Sequence, residues 1–430
     1  MSLVVYSRGI KVGTLDMADG EPFYGFAYDR AYLQSGRALP LSLSLPLQEG
    51  RFDGAHVLPY FEGLLPEGDV RAAVARQLGI SERSPAKLLR ALGKDCAGDV
   101  AVLEEDDPYQ PPAEDEYAKL DEGLAQIARN PFGEISRLRA GNRLSLAGGQ
   151  EKIALYHDSR EPIGSGWHVP VGGSPSTHIV KPQISEAYPQ LVYNEFFCMR
   201  LAQLAGIDVA EVEVVSFERP LLVVERFDRM EAGRRNGIGL DVYRRIRQED
   251  FCQALGFDSS RKYETDGGPG VASLCSLLLA HSARFIDDRR ALLRLVLFNY
   301  LIGNCDAHAK NYSVLLGDAG AVRLAPAYDL LSTAVYDGAF GAELSRGMGM
   351  FIGRHANIDK VDRDDFAMLA QDCGLSESSL RELARSLAED VREGFGEAEA
   401  CLREATADDV SDLLSGIRAG IEKRSGKVCF

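Results

Sequence analysis

Short apolar runs open the chain. Leu3 to Tyr6, Lys11 to Leu15 and Phe23 to Tyr28 alternate with turn signals such as Ala18-Asp19-Gly20-Glu21-Pro22, a pattern that predicts a small sheet. The period then lengthens to that of helices at Gly68 to Leu78 and Ser84 to Leu92, where Ser84-Pro85 offers a cap followed by an N1 proline. A polar, proline-containing stretch, 104–116, carries Glu104-Glu105-Asp106-Asp107 and Pro111-Pro112. Its self-repelling charge and its prolines predict a linker or surface loop. Beyond it the pattern predicts a helical segment near Tyr117 to Arg129, a strand pair around Ser145 to His157, and a strand at Thr177 to Lys181 that ends in Pro182.

Leu191, Phe196, Phe197, Leu201 and Leu204 are spaced for one face of an amphipathic helix. Val212 to Phe217 and Leu221 to Val224 read as two buried strands joined by the turn Glu218-Arg219-Pro220. Strand, helix and strand pair in that order match the small lobe of a kinase-like fold. After Arg229 the pattern predicts long helices at Gln248 to Leu255, Gly270 to His281 and Asp287 to Leu301, the last apolar nearly all round and therefore buried. Residues Ser376 to Lys423 read as two or three charged amphipathic helices, with Ser376 as a cap. The expected architecture is α+β: a kinase-like two-lobe fold with a β-rich N-terminal module (1–103), the linker (104–116), a small nucleotide-binding lobe (117–229) and a mostly helical C-terminal lobe (230–430).

Composition narrows the possibilities. With 430 residues, 45% of them hydrophobic and 26% charged, the chain has material for two or three globular domains. The first residues lack a basic region followed by a long apolar stretch, and no run of about 18 uncharged apolar residues occurs. A cytoplasmic protein with no membrane partner is expected. Eight cysteines are scattered without a C-x-x-C pair, which favours reduced thiols over disulfides or zinc. The formal net charge of −16 argues against independent binding to nucleic acid, since affinity for a polyanion rests on lysine and arginine neutralising phosphates. The basic pairs Arg234-Arg235 and Arg244-Arg245 are short enough to be ordinary solvated surface.

Candidate chemistry concentrates in Asn304-Cys305-Asp306-Ala307-His308-Ala309-Lys310-Asn311 and in Ala327-Tyr328-Asp329. An aspartate and an asparagine five residues apart, then a later aspartate beyond a hairpin, are the polar parts of phosphoryl transfer: one acid for the attacking hydroxyl and two oxygen ligands for Mg2+. Asp306 takes the first role; Asn311 and Asp329 take the second. Tyr312 to Leu316 and Ala321 to Leu324 flank the turn Gly317-Asp318-Ala319-Gly320 and read as the hairpin that returns Asp329 to the loop. The plain alternative is that aspartate and asparagine near a helix end serve as caps or turn formers. Cys305 lacks a histidine-plus-base arrangement and reads as a small loop filler. His308 could bind phosphate or order the loop, and a satisfied structural histidine is its plainer role.

Upstream, Arg143 to Lys152 places Gly148-Gly149 between β-like runs, so that backbone N–H groups could approach ATP phosphates without a Cβ in the way, or simply form a hairpin turn. Lys181 ends an apolar strand and needs an anion, which ATP or Glu195 could supply, unless it reaches solvent. Val223 to Asp228 stands where a hinge would hold adenine, with Phe227 equally suited to a core anchor.

Taken together, Ser145-Leu-Ala-Gly-Gly-Gln-Glu-Lys152, Thr177-His-Ile-Val-Lys181-Pro, Val224-Glu-Arg-Phe-Asp-Arg229, Gln248-Glu-Asp-Phe-Cys-Gln253, Tyr263-Glu-Thr-Asp-Gly-Gly-Pro-Gly270, Asp306-Ala-His-Ala-Lys-Asn311 and Tyr328-Asp329 resemble the motifs of the HipA family of bacterial serine/threonine kinases, the toxins of toxin–antitoxin pairs. The likeness covers nearly the whole chain. It implies that Asp306 is the catalytic acid/base, that Asn311 and Asp329 hold magnesium, and that Lys181 contacts ATP phosphates beside the loop Ala147, Gly148 and Gly149. It places the hinge on Glu225 and Phe227, a nucleotide-site residue at Gln248, and His308 and Lys310 in the catalytic loop. It also implies autophosphorylation at Ser145 with ejection of that loop, a protein substrate such as glutamyl-tRNA synthetase, and a helix-turn-helix antitoxin of the HipB type through which alone operator DNA is engaged. One departure is that the loop reads Asn-Cys-Asp-Ala-His where the family more often has Thr-Asp-Gly-His. Two other classes remain open on sequence: a catalytically idle, DNA-associated regulatory subunit, and a small-molecule kinase, since fold and site alone do not define the acceptor.

Overall fold

The opening run Ser2–Ser7 pairs on both sides, with Leu3 opposite Leu15 on one neighbour and opposite Glu104 on the other. It is the fourth strand of a five-stranded sheet ordered Arg51–Asp53, Gly25–Tyr28, Ile10–Asp16, Ser2–Ser7, Val100–Glu104. The computed structural model describes residues 2–17, 23, 25–106, 116–142, 145–318, 320–336 and 346–428. The Ala18 to Pro22 turn, residues 107–115 of the linker, Arg143-Leu144 and Cys429 lie outside the described residues. The chain divides into two units: Met1–Pro182, Glu225–Ser259 and Leu315–Gly320 form the first, and Gln183–Val224, Ser260–Val314 and Ala321–Phe430 the second.

In the first unit, helices Gly54–Glu62, Gly68–Leu78 and Pro85–Leu92 cover the five-stranded sheet. Leu3, Leu15, Phe26, Phe61 and Leu89 are completely buried in the core between them, each worth about 1.5–3 kcal/mol relative to exposure. A second antiparallel group joins Glu116–Lys119, Trp167–Val171, Ile153–His157 and His178–Pro182, with Glu116 opposite Val171 and Ile153 opposite Val180.

Three local expectations change. Tyr117 to Lys119 is an edge strand, because its backbone pairs with Trp167–Val171, and the helix that follows is confined to Ala125–Arg129 with another at Pro131–Asn142. The strand pair expected around Ser145 to His157 is one strand, Ile153–His157, because the backbone before it bonds elsewhere: Ser145 N–H donates to Asp95 O at 2.9 Å and Glu67 N–H to Gly148 O at 3.1 Å. Residues after Arg229 are not yet helical. Arg229–Arg235 and Asp241–Arg245 pair across a turn in which Asn236 Oδ1 accepts from Leu240 N–H at 2.9 Å, and Arg247–Asp250 is a strand before the short helix Phe251–Leu255. Their alternation is masked in sequence by charged residues on both faces.

A buried ionic seam ties residues 95–99 to 226–249 within this unit. Arg226 holds Asp228 bidentately at 2.9 and 2.7 Å, Gly98 N–H donates to Asp228 Oδ2 at 2.8 Å, and Arg247 Nε donates to Asp99 Oδ1 at 3.2 Å. Burial alone would raise the Asp228 pKa, but Arg226 and Arg229 outweigh it and hold the carboxyl far below the usual range. Removing one partner from such a seam costs about 3–5 kcal/mol.

The second unit packs helix Leu191–Leu204 against Glu377–Ala405, with the Phe197 and Phe395 rings 4.9 Å apart and inclined at 62°. Strands Val212–Val215 and Leu221–Val224 form the expected pair, Val212 opposite Val224. Helices Val271–His281, Phe285–Ile302, Arg363–Asp372 and Ser411–Val428 complete it. Ser376 caps the long C-terminal helix by accepting from Ser379 N–H. Among the described residues no helix is long and apolar enough to cross a membrane.

Glu249 offers a test of the first unit's polar core. The residue is 1% exposed, and burial pushes its carboxyl up to about 7 although Ser42 Oγ and Leu43 N–H donate to it. A folded pKa above the unfolded one means stability fully present below the unfolded value and lost as pH rises through about 7. Urea denaturation from pH 4 to 8 should show wild type losing, relative to Glu249→Gln, about 3 kcal/mol across that window; parallel curves would contradict the assignment.

Candidate functional site

The site grows from the C-terminus of helix Phe285–Ile302. Its last turns are buried nearly all round, through Leu292, Leu297, Phe298, Leu301 and Ile302, so the chain leaves a fixed post. Gly303 takes the left-handed conformation, φ 77°, and Gly303 and Asn304 N–H return to Tyr300 O at 3.1 Å and Asn299 O at 2.9 Å. Asn304 Nδ2 then donates to Asn299 Oδ1 at 2.9 Å, and Asn299 Nδ2 to the buried Tyr312 hydroxyl at 3.0 Å, stitching both ends of the loop to the post.

On that frame Asp306 is exposed, its N–H donating to Asn304 Oδ1 at 3.2 Å and its Oδ1 accepting from the Tyr263 hydroxyl at 2.7 Å. His308 and Lys310 are buried, and the Tyr263 ring stands edge-on to His308 at 5.0 Å. Asn311 Oδ1 accepts from His308 N–H at 3.2 Å while Asn311 N–H donates to His308 O at 2.9 Å, so the loop closes on itself. Burial raises the Cys305 thiol pKa, which fits a filler and opposes a thiolate nucleophile.

Strands Ser313–Leu316 and Val322–Leu324 stand where the hairpin was expected, and Ala325 N–H donates to Ser313 O at 2.9 Å. Ala327 is pinned by two backbone bonds to Asp208 and Ala210, at 2.8 and 2.9 Å. Tyr328 then donates its hydroxyl to Lys310 O at 2.7 Å, and Asn304 Nδ2 reaches Asp329 O at 3.5 Å. These bonds bring the Asp329 segment against the 304–311 loop. Asp329 itself is half-buried with φ 54°, a left-handed conformation costly for a non-glycine residue and held by its surroundings. The Asn311 amide and the Asp329 carboxylate carry hard oxygen donors, the kind that suits magnesium.

The remaining candidates lie in the first unit. Ser145 is completely buried, its hydroxyl donating to Leu64 O at 2.6 Å. Ala147 is half-buried, Gly149 exposed, and Gly148 has φ 103° and forms a bridge with Pro66. Lys181 is 4% exposed on the strand whose Val180 pairs with Ile153, so the strand leaving the glycine loop runs beside it. Glu225 is exposed and Phe227 half-buried at the end of a strand, with Arg226 N–H donating to Thr177 O at 2.9 Å. Gln248 lies in Arg247–Asp250, its backbone against Gly98. Glu195 belongs to the second unit, buried in Leu191–Leu204.

Tyr263 is the residue to which sequence reading attached no role. Its only signal was membership of the Tyr263 to Gly270 motif; contact with Asp306, 43 positions away, is a tertiary event. Elsewhere in the second unit, His355, Asp362 and Asp365 bring metal-ligand atoms within 4.8 Å of one another. The Asp365 oxygens, however, already accept from Arg354 N–H, Asp362 N–H and His355 Nδ1, and the trio reads as a helix cap.

An exposed acid on a loop fixed to a buried helix, with an amide in the same loop and a second carboxylate on a segment bonded to it, is an arrangement compatible with a phosphotransferase. The HipA N-terminal domain matches residues 3–103 and the HipA-like C-terminal domain residues 144–395. The chain belongs to the HipA family and is a protein kinase. It is 40% identical to a Sinorhizobium fredii protein named as a candidate kinase, Y4mE, over 90% of this chain and 88% of that one. It is 33% identical to the serine/threonine-protein kinase toxin HipA of Shewanella oneidensis, over 78% and 76% of the two chains. The solved complex of Shewanella oneidensis HipA with HipB and operator DNA superposes at a TM-score of 0.78 with 27% identity, covering 99% of this chain and 96% of that one.

Tyr263→Phe should lower kcat for ATP-dependent phosphoryl transfer about tenfold, equivalent to 1.4 kcal/mol, while the exposed setting of Asp306 keeps the change in Tm below about 2 °C. Radiolabel transfer from γ-labelled ATP and a thermal melt check the pair of outcomes; unchanged kcat would remove Tyr263 from the site.

Proposed function

We propose that the chain transfers the γ-phosphate of ATP to a serine of a protein involved in translation, of the aminoacyl-tRNA synthetase type. The observation that carries this reading is the exposed Asp306 carboxylate, held by Tyr263 on a loop anchored to a buried helix, with the Asp329 segment bonded to the same loop. In this reading Asp306 orients the acceptor hydroxyl and takes its proton. Asn311 and Asp329 hold Mg2+, which when bound neutralises charge on the phosphates. Ala147, Gly148 and Gly149 offer backbone N–H groups, and Lys181 a cation, to the triphosphate. Glu225 and Phe227 serve as the adenine hinge, with Gln248, His308 and Lys310 supporting the nucleotide and the loop.

Ser145 is proposed as the site of self-inactivation. A phosphoserine could not donate to Leu64 O, and nearly two added negative charges would oppose a loop that must accept a triphosphate. The docked loop would therefore have to leave. A helix-turn-helix antitoxin is the proposed partner, supported by the HipB and operator DNA in the solved relative. With a net charge of −16 the chain itself is poorly suited to DNA, and the partner would supply most phosphate contacts.

Asp306→Asn, Asp329→Ala and Lys181→Ala should each cut phosphoryl transfer at least about 100-fold without unfolding the protein. Circular dichroism and intact mass before and after phosphatase separate loss of chemistry from loss of fold. Wild type that transfers nothing after dephosphorylation would favour the idle regulatory subunit, and phosphorylation of a metabolite but no protein would favour the small-molecule kinase.

A further inference from the structure

Arg424, on the last helix Ser411–Val428, is 4% exposed, and among the described residues no carboxylate pairs with it in an ion pair. Burial lowers its pKa, and a guanidinium so placed needs compensation from something other than an adjacent acid. The compensation lies at the catalytic post. Arg424 Nε donates to Leu301 O at 2.9 Å, in the final turn of Phe285–Ile302. Because the terminal N–H groups of that helix fold back to Asn299 and Tyr300, the Leu301 carbonyl is left outside the helical ladder at the negative end of the dipole.

The guanidinium also fills the space over Gly303. A Cβ there would stand 2.7 Å from Arg424 Nη2 and 2.8 Å from Ala334 Cβ. Gly303 O in turn accepts from Ala334 N–H at 3.0 Å and from the Thr333 hydroxyl at 3.2 Å, and Thr333 Oγ1 accepts from Cys305 N–H at 2.8 Å. Asp306 is the next residue. The arginine thus stands over the junction where helix becomes catalytic loop, and Cys305, whose amide Thr333 holds, directly precedes the acid.

We propose that Arg424 is a positioning residue for phosphoryl transfer: it caps the helix that carries Asp306 and holds the Gly303–Cys305 backbone in register. The proposal rests on the kinase reading. It accounts for a buried cation with no ion-pair partner among the described residues, and it gives the last helix a duty in the chemistry.

The test compares Arg424→Gln, Arg424→Lys, Gly303→Ala and, as a control on the same helix, Lys423→Ala, whose exposed ammonium pairs with Asp359 at 2.7 Å. Arg424→Gln should lower kcat about tenfold with KM for ATP within about twofold, Arg424→Lys should recover part of it, Gly303→Ala should reproduce the loss, and Lys423→Ala should match wild type. A wild-type kcat in Arg424→Gln, or equal losses in Arg424→Gln and Lys423→Ala, would overturn the proposal. Hydrogen exchange at the Gly303, Asn304 and Cys305 amides separates it from the kinase reading. Were wild type inactive, that reading would fail alone; faster exchange in Arg424→Gln would still support the capping role, and unchanged exchange would sink it.

Discussion

The termination of one buried helix governs the loop that carries Asp306. Helix Phe285–Ile302 ends inside the second unit, where carbonyls cannot be left to water, so its end must be satisfied by protein groups. Gly303 turns the chain, Asn299 and Tyr300 accept its amides, Arg424 takes Leu301 O, and Thr333 bridges Gly303 and Cys305. Each of these bonds also fixes the loop that follows. Satisfying the helix end and positioning Asp306 are one structural problem with one solution.

The first unit solves a different problem. Its residues from the N-terminal module and from 225–259 meet through buried charges, a costly way to join segments unless every charge has a partner. Arg226 meets that demand by gripping Asp228 bidentately, and Arg247 by one bond to Asp99, which also accepts from the Ser7 hydroxyl. The glycine loop is held differently, by bonds from Ser145 to Leu64 and Asp95, from Glu67 to Gly148, and from the buried Arg139 to Glu151 and Lys152 O.

Membership of the HipA family supplies the context in which these parts have a purpose. The acid and its two companion oxygens suit phosphoryl transfer, and a net charge of −16 disfavours non-specific attraction of the chain to a polyanion. The departure Asn304-Cys305 in the loop fits its surroundings: Asn304 bonds to Asn299 and buried Cys305 offers its N–H to Thr333. Asn304 Oδ1 also accepts from Asp306 N–H at 3.2 Å, so the changed residue itself helps to hold the acid.

Much of this was legible in the residues alone. Sequence pattern identified helices at Gly68 to Leu78, Leu191 to Leu204 and Asp287 to Leu301, the last observed as Phe285–Ile302, and the polar motif identified the 304–311 loop, because periodicity and local chemistry are properties of neighbours in the chain. The strands at Glu116–Lys119 and Arg229–Arg245 were not legible, since charged edge strands owe their conformation to pairing rather than to propensity. Tertiary structure alone set Tyr263 on Asp306, gave Asp329 its left-handed backbone, buried the Ser145 hydroxyl and carried Arg424 to Leu301 O. Those are contacts between residues far apart in sequence, and only the packing of the whole unit makes the burial that forces them.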